Sequence, residues 1–182
     1  LPLSARQDLD VNRDGEFDGL DVTALVERIR QAIADEQLQA VARRLAAGME
    51  SSVLGEINGD GLVDQSDVLM AQEGYAAGIE LGDRLADAVK EVLDLDGDGK
   101  VTPADLELEL GLIESTMGKI ADSVAFGKVV GTGSLDLNGD GHVNQVDALE
   151  AEAKLGIALS LGGLLPLSAR QDLDVNRDGE FD

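Results

Sequence analysis

The sequence predicts an all-α fold of helix–loop–helix units in tandem. Three observations predict it. A twelve-residue acidic stretch with glycine at its sixth position occurs four times in full. Between these stretches, apolar residues recur at the 3.6-residue period of a helix. Nothing reads as a strand beyond a short bridge between the eighth residues of paired stretches.

The clearest stretch runs from Asp94 to Asp105. Acids stand at positions 1, 3, 5 and 12 (Asp94, Asp96, Asp98, Asp105), with Gly99 at position 6 and Val101 at position 8. This is the spacing of an EF-hand calcium loop. Ca²⁺ is a hard cation that takes six to eight oxygens, and a chain winding once around it turns alternate side chains inward. Position 6 turns sharply, which glycine tolerates because it has no Cβ. Position 7 offers its backbone carbonyl, so Lys100 fits there. Thr102, at position 9, is the expected N-cap of the exiting helix, with Pro103 at its first position.

The same spacing recurs elsewhere. Loop one offers Asp10, Asn12, Asp14, Glu16, Asp18 and Asp21; loop two offers Glu56, Asn58, Asp60, Leu62, Asp64 and Asp67. Loop four offers Asp136, Asn138, Asp140, His142, Asn144 and Asp147. In each set the position-7 residue (Glu16, Leu62, Lys100, His142) contributes its carbonyl only. A partial fifth loop begins at Asp174, Asn176 and Asp178, and the sequence stops at its ninth position, Asp182. Four Ca²⁺ sites are expected. The position-8 residues Phe17, Val63, Val101 and Val143 are expected to face the core.

The chain has 182 residues and a formal net charge of −23, enough for one domain or two small ones. Ligand positions account for 18 of the 37 acidic residues, so the acidity reads as unneutralised calcium sites. Nucleic acid is excluded as a partner because its phosphates would be repelled. The absence of cysteine excludes disulfides and thiolate chemistry. With no signal peptide and no initiating Met, the sequence reads as an excerpt of a longer chain. The apolar run Leu155–Leu167 is broken by glycines and a proline and is too short to span a bilayer. It reads as the end of a core helix followed by a linker.

Residues 1–18 and 165–182 are identical. The period is therefore 164 residues, which points to a tandem array; an overlapped or permuted unit would give the same identity. Residues 1–164 form one repeat with four loops, and 165–182 start the next identical repeat. The loop glycines at 15, 61, 99, 141 and 179 divide the repeat again, into half-units of about 1–82 and 83–164.

The helical faces follow in order. Val22, Leu25, Val26, Ile29 and Ile33 form one face, and Leu38, Val41, Ala42, Leu45 and Met49 another, out of phase with it. A break near Ala34–Asp35 is expected between them. Leu81, Leu85, Ala88, Val89 and Val92 form the helix entering loop three, with Asp83 as its N-cap. Leu106, Leu110, Ile113, Met117, Ile120, Ala121 and Val124 follow that loop, up to a break at 131–134. Val146, Leu149 and Ala153 leave loop four. Such stripes are assigned to packing.

The loops resemble those of the dockerin and related bacterial EF-hand families. Asp8 to Gly15 and Leu137 to Gly141 carry the resemblance, together with Asp at the twelfth position of all four loops. It implies calcium as the cofactor and an extracellular or cell-surface location. The sequence departs from dockerins in its wider loop spacing. It also departs at positions 10 and 11: Gly19-Leu20, Gln65-Ser66, Pro103-Ala104 and Gln145-Val146 stand in place of small polar pairs. Val26-Glu27 stands where a basic pair is usual. A cohesin-like partner is therefore not expected, and only the calcium role carries over.

Catalysis is not expected. Every acid pair lies at a metal position, and the one histidine, His142, sits where side chains point outward. The expected function is a calcium-rigidified repeat of a long extracellular filament or adhesin. Its partners would be neighbouring repeats and other filament chains, with no nucleic acid and no membrane insertion. A dockerin-like binding module and a calcium sensor or buffer are the alternatives. Asp at position 12 is a methylene shorter than the Glu of sensors and suits a site that stays closed. The equal 38-residue steps predict that Val63 bridges Val101 and Val143 bridges Phe181, so that one pair straddles the repeat boundary.

Overall fold

The computed structural model describes residues 9–182; residues 1–8 of the first repeat copy lie outside them. Six α-helices make up the described chain: α1 (Gly19–Ser51), α2 (Gln65–Leu81), α3 (Asp87–Leu93), α4 (Pro103–Gly131), α5 (Gln145–Leu161) and α6 (Leu167–Leu173). Short 3₁₀ turns, Gly82–Arg84 and Gly162–Leu164, join α2 to α3 and α5 to α6. The expected all-α architecture is what forms.

Each long helix starts in the same way, directly from its loop. Asp18, Asp64, Thr102 and Asn144 are the N-caps of α1, α2, α4 and α5, and each accepts from the backbone N–H two residues on. The loop's twelfth residue, at N3, accepts in return from the cap's own N–H, completing a capping box. Pro103 follows Thr102 at the start of α4, as the sequence indicates.

The main core gathers Ala42, Leu45 and Ala46 of α1, Tyr75 and Leu81 of α2, Leu93 of α3 and Ile113 of α4. A second, smaller core gathers Phe126 of α4, Leu161 of α5, Leu165 and Leu173. Leu54 and Ile120 touch both.

Several expectations are corrected. α1 does not break near Ala34–Asp35; it runs unbroken for 33 residues, about 50 Å. Asp35 pairs instead with Arg84, and Gln39 donates to the Arg84 carbonyl at 2.6 Å, so the joint is strapped to the following 3₁₀ turn. The two out-of-phase faces reflect different surroundings along one helix. The first face is exposed, and the second is packed in the main core.

The helix entering loop three begins at Asp87, not Asp83. Asp83 lies in the 3₁₀ turn, and Ala86 precedes α3 without a side-chain cap. Leu81 and Leu85 are nonetheless buried beside Val89 and Leu93, because the turn redirects the chain without exposing them. The apolar run Leu155–Leu167 is not a helix end plus linker. Its Leu161, Leu164 and Leu165 are buried, and α6 follows directly.

Among the described residues, no backbone bridge joins Val63 to Val101 or Val143 to Phe181; the isolated bridge present links Val53 to Glu56. Geometry forbids the expected pairing. Loop two precedes α2, whereas Val101 of loop three packs beside Gly78, thirteen residues along that helix. The two loops are therefore held about 20 Å apart, at opposite ends of α2. Phe17 and Val143 also fail to face a core; both are exposed.

Candidate metal centre

The loops are built by their own side chains. The position-1 carboxylate turns back onto the backbone N–H groups of positions 5 and 6. Asp94 accepts from Asp98 at 3.0 Å and from Gly99 at 2.8 Å; Asp10 accepts from Asp14 at 3.1 Å and Gly15 at 2.9 Å. Glu56 does the same work with a longer arm, taking Gly59, Asp60 and Gly61 on one oxygen. Asp136 accepts from Gly141 at 2.9 Å.

Position 3 then holds position 5. Asn12, Asn58, Asp96 and Asn138 accept from the N–H of Asp14, Asp60, Asp98 and Asp140, at 2.8–3.0 Å. Position 5 holds position 7 likewise, with Glu16, Leu62, Lys100 and His142 donating their N–H groups at 2.8–2.9 Å. The side chains of these position-7 residues point to solvent, as expected. In loop four the His142 carbonyl accepts from Asn144 Nδ2 at 3.4 Å, so it lies on the same side as the position-9 side chain.

The twelfth residue locks each loop shut. One oxygen of Asp105 accepts from Leu95 and Asp96, and the other from the Thr102 N–H and hydroxyl. Asp21, Asp67 and Asp147 make the same backbone contacts with Val11, Asn12 and Asp18, with Ile57, Asn58 and Asp64, and with Leu137, Asn138 and Asn144. All four aspartates are buried.

These bonds favour the ionised carboxylate. The Asp18 N–H, above all, holds the Asp21 carboxyl below the usual range, and the Asn144 N–H does so for Asp147. For Asp105 burial pushes the other way, but the combined bonds from Thr102, Asp96 and Leu95 outweigh it.

The structure brings Asp94, Asp96 and Asp98 together, with one oxygen from each lying within 4.8 Å of the others. Three anionic oxygens that close call for a cation. The other loops carry Asn at position 3, so one charge fewer converges there. Asp136 Oδ1 in loop four and Asp174 Oδ1 in the partial loop are buried with no hydrogen-bond donor. A bare carboxylate oxygen at position 1, turned away from solvent, fits a metal ligand.

One structural position escaped the sequence reading. Position 4 also takes a left-handed backbone, with φ of 63° at Arg13, 81° at Gly59, 75° at Gly97 and 73° at Gly139. Glycine at three of those four positions was the available signal.

Residues 54–108 match the dockerin type I domain. This is loop two, α2, α3, loop three and the first turn of α4. The wider spacing expected to set these loops apart from dockerins does not do so here. The chain is also similar to the calcium-binding protein LPS1-beta of Lytechinus pictus, 26% identical over 185 residues. That alignment takes in 97% of this chain but 62% of the relative, so the chain spans about three fifths of that protein's length. No solved structure matches. A dockerin-like, calcium-binding EF-hand character is thus shown for the chain. Among the described residues, no helix is long and apolar enough to cross a membrane.

Proposed function

We propose that the chain is a non-catalytic structural repeat that holds four calcium ions, one in each loop beginning at Asp10, Glu56, Asp94 and Asp136. The observation that carries this reading is the convergence of Asp94, Asp96 and Asp98 oxygens in a loop already closed by Asp105. The ligands are side chains at positions 1, 3, 5, 9 and 12 and the carbonyls of Glu16, Leu62, Lys100 and His142. Calcium offsets the crowded carboxylates and stiffens the joint between each loop and its exiting helix. The 18-residue identity supports a tandem array of 164-residue repeats, in a filament or adhesin at the cell surface or outside it. Dockerin domains are typically extracellular or surface-associated, which agrees with that setting.

Calorimetry of the whole chain should find four ions, with affinities on the order of 10⁻⁴ M. Two or fewer would overturn the reading. Loop two should be the weakest complete site, because Glu56 commits one oxygen to three backbone donors.

A second reading is favoured by the match over 54–108: that unit docks to a cohesin-like protein, as dockerin domains typically do. Calcium-dependent capture of this chain on an immobilised cohesin would establish that reading and demote the filament.

A further inference from the structure

We propose that the apolar stripe on the first half of α1 docks, head to tail, into the groove beside α5 of a second copy of this chain. The inference rests on the internal repeat and on apolar surface, and not on how many ions the loops hold.

Two equivalent units set the argument. The first is loop two, α2, α3 and loop three. The second is loop four, α5, α6 and the partial loop five, 80 residues later. Their turns superpose in kind, with Gly82 at φ 52° and Gly162 at φ 50°. In the first unit, the helix leaving loop three folds back as a lid. Leu106, Leu110, Ile113 and Met117 of α4 join the main core with Tyr75, Leu81 and Leu93.

The second unit has no such lid. Loop five leads to none, and an open groove of about 200 Å³ is lined by Leu155, Leu159, Leu173, Val175 and Phe181. These residues are equivalent to Tyr75, Ile79, Leu93, Leu95 and Val101.

The missing lid has a known sequence. Loop one is identical to loop five through Asp18 and Asp182, and α1 is the helix that follows it. Val22, Val26, Ile29 and Ile33 stand where Leu106, Leu110, Ile113 and Met117 stand 84 residues later. Ile113 is 0% exposed, whereas Ile29 is 50% exposed. The loop itself repeats the contrast: Leu173 is 2% exposed, and its identical counterpart Leu9 is 42% exposed.

An incoming copy therefore brings both the loop and the lid. Its residues 1–18 take the place of 165–182, an exchange of identical sequences that is neutral in contacts, and the stripe on α1 is the net gain. Stripe and groove are different surfaces, so the contact is heterologous and each copy remains open to the next. In a chain of successive repeats the same contact forms within the molecule, with α1 of each repeat closing the last unit of the repeat before it.

Analytical ultracentrifugation tests this, at millimolar calcium and about 0.15 M salt to screen the net charge. The wild-type chain should grow past the dimer as its concentration rises. Ile29→Glu spoils the stripe and Leu159→Glu the groove; both sites are exposed, and circular dichroism checks that each variant folds. Each alone should remain monomeric. An equimolar mixture should form a one-to-one dimer, because Ile29→Glu keeps a sound groove and Leu159→Glu a sound stripe. A wild-type chain that stays monomeric overturns the proposal. So does a Leu159→Glu variant that still associates, which would mean that stripes pair with stripes, and so does a mixture that stays monomeric. Calcium stoichiometry on the same samples is a separate readout and stands or falls alone.

Discussion

Loops two and four share one design and live in different surroundings. Val63 of loop two is 8% exposed, and Val143, at the same position of loop four, is 65% exposed. The difference lies in the helices that flank them. Behind loop two, α1 and α2 meet through glycines. A Cβ on Gly74 would lie 2.4 Å from Leu45 Cβ, and one on Gly48 would lie 2.0 Å from the Ile57 carbonyl oxygen. No side chain fits in either place, so α1 presses directly on α2 and on loop two. Eighty residues later the equivalents of Gly74 and Gly48 are Lys154 and Lys128. Lys154 reaches over the Phe126 ring, 5.4 Å from its centre, and pairs with Glu150 at 2.8 Å. A long side chain now separates α4 from α5. A cavity of about 330 Å³ opens beside Phe126, Leu137 and Ile157. The metal loop is autonomous in its hydrogen bonds, and the burial of its apolar residues is decided by the glycines of neighbouring helices.

Exchanging the deciding residues should break the contrast most strongly. Gly74→Lys forces α1 off α2 and should cost ~3 kcal/mol, the upper part of the range for overpacking a tight contact. Lys154→Ala removes one cation–π contact and one half-exposed ion pair, for about 1 kcal/mol. Denaturant titration of both variants measures this. Equal losses would show that the two interfaces are alike after all.

The next effect concerns the locking aspartates, measured in chelator so that metal does not mask it. Asp67→Ala strands the N–H groups of Ile57, Asn58 and Asp64 beside a tight core, and should cost about 2–3 kcal/mol. Asp147→Ala strands the same set in a loop open to water, which can replace the lost acceptor, so the loss should be smaller. Hydrogen exchange should show the same order, with the Ile57 amide slower than that of Leu137. Acid should act through these groups too. The carboxyls of Asp21, Asp105 and Asp147 titrate below their unfolded value. Their contribution is therefore fully present above about pH 4 and is lost as pH falls through the lower folded values. A calcium-free chain equally stable at pH 5 and pH 2.5 would contradict this.

The loops were legible residue by residue because their ligands, turn glycines and caps are local in sequence. The helices were legible as stripes for the same reason. What was not legible was tertiary. The phase shift across Ala34–Asp35 looked like a break because a stripe records which face is apolar and not what covers it. The bridging of Val63 with Val101 failed because loop spacing gives a module's length and not which end of α2 each loop occupies. Glycines 48 and 74 read as ordinary helix interruptions; only the partner surfaces, Ile57 and Leu45, reveal them as contact points.

The smallest effect sharpens another pair of equivalent positions, Leu25 on α1 and Glu109 on α4. Glu109 is buried where α4 covers the first unit. Burial, with the nearby Asp67 carboxylate adding to it, pushes its carboxyl above the ordinary range. Tyr75 feels the same pocket; burial first, then Glu109 and Asp105, pushes its hydroxyl up. A carboxyl raised in the folded state opposes folding once the pH exceeds its unfolded value near 4.5, and the penalty stops growing above the folded value. Glu109→Gln keeps the shape and removes the charge. In chelator it should therefore stabilise the chain slightly at pH 7 and leave it unchanged at pH 4. Leu25→Gln, on the exposed stripe of a monomer, should do neither. Thermal unfolding of the two variants at both pH values decides it. A Glu109→Gln chain that melts earlier at pH 7 would mean that the carboxylate has a bonding partner that offsets its burial.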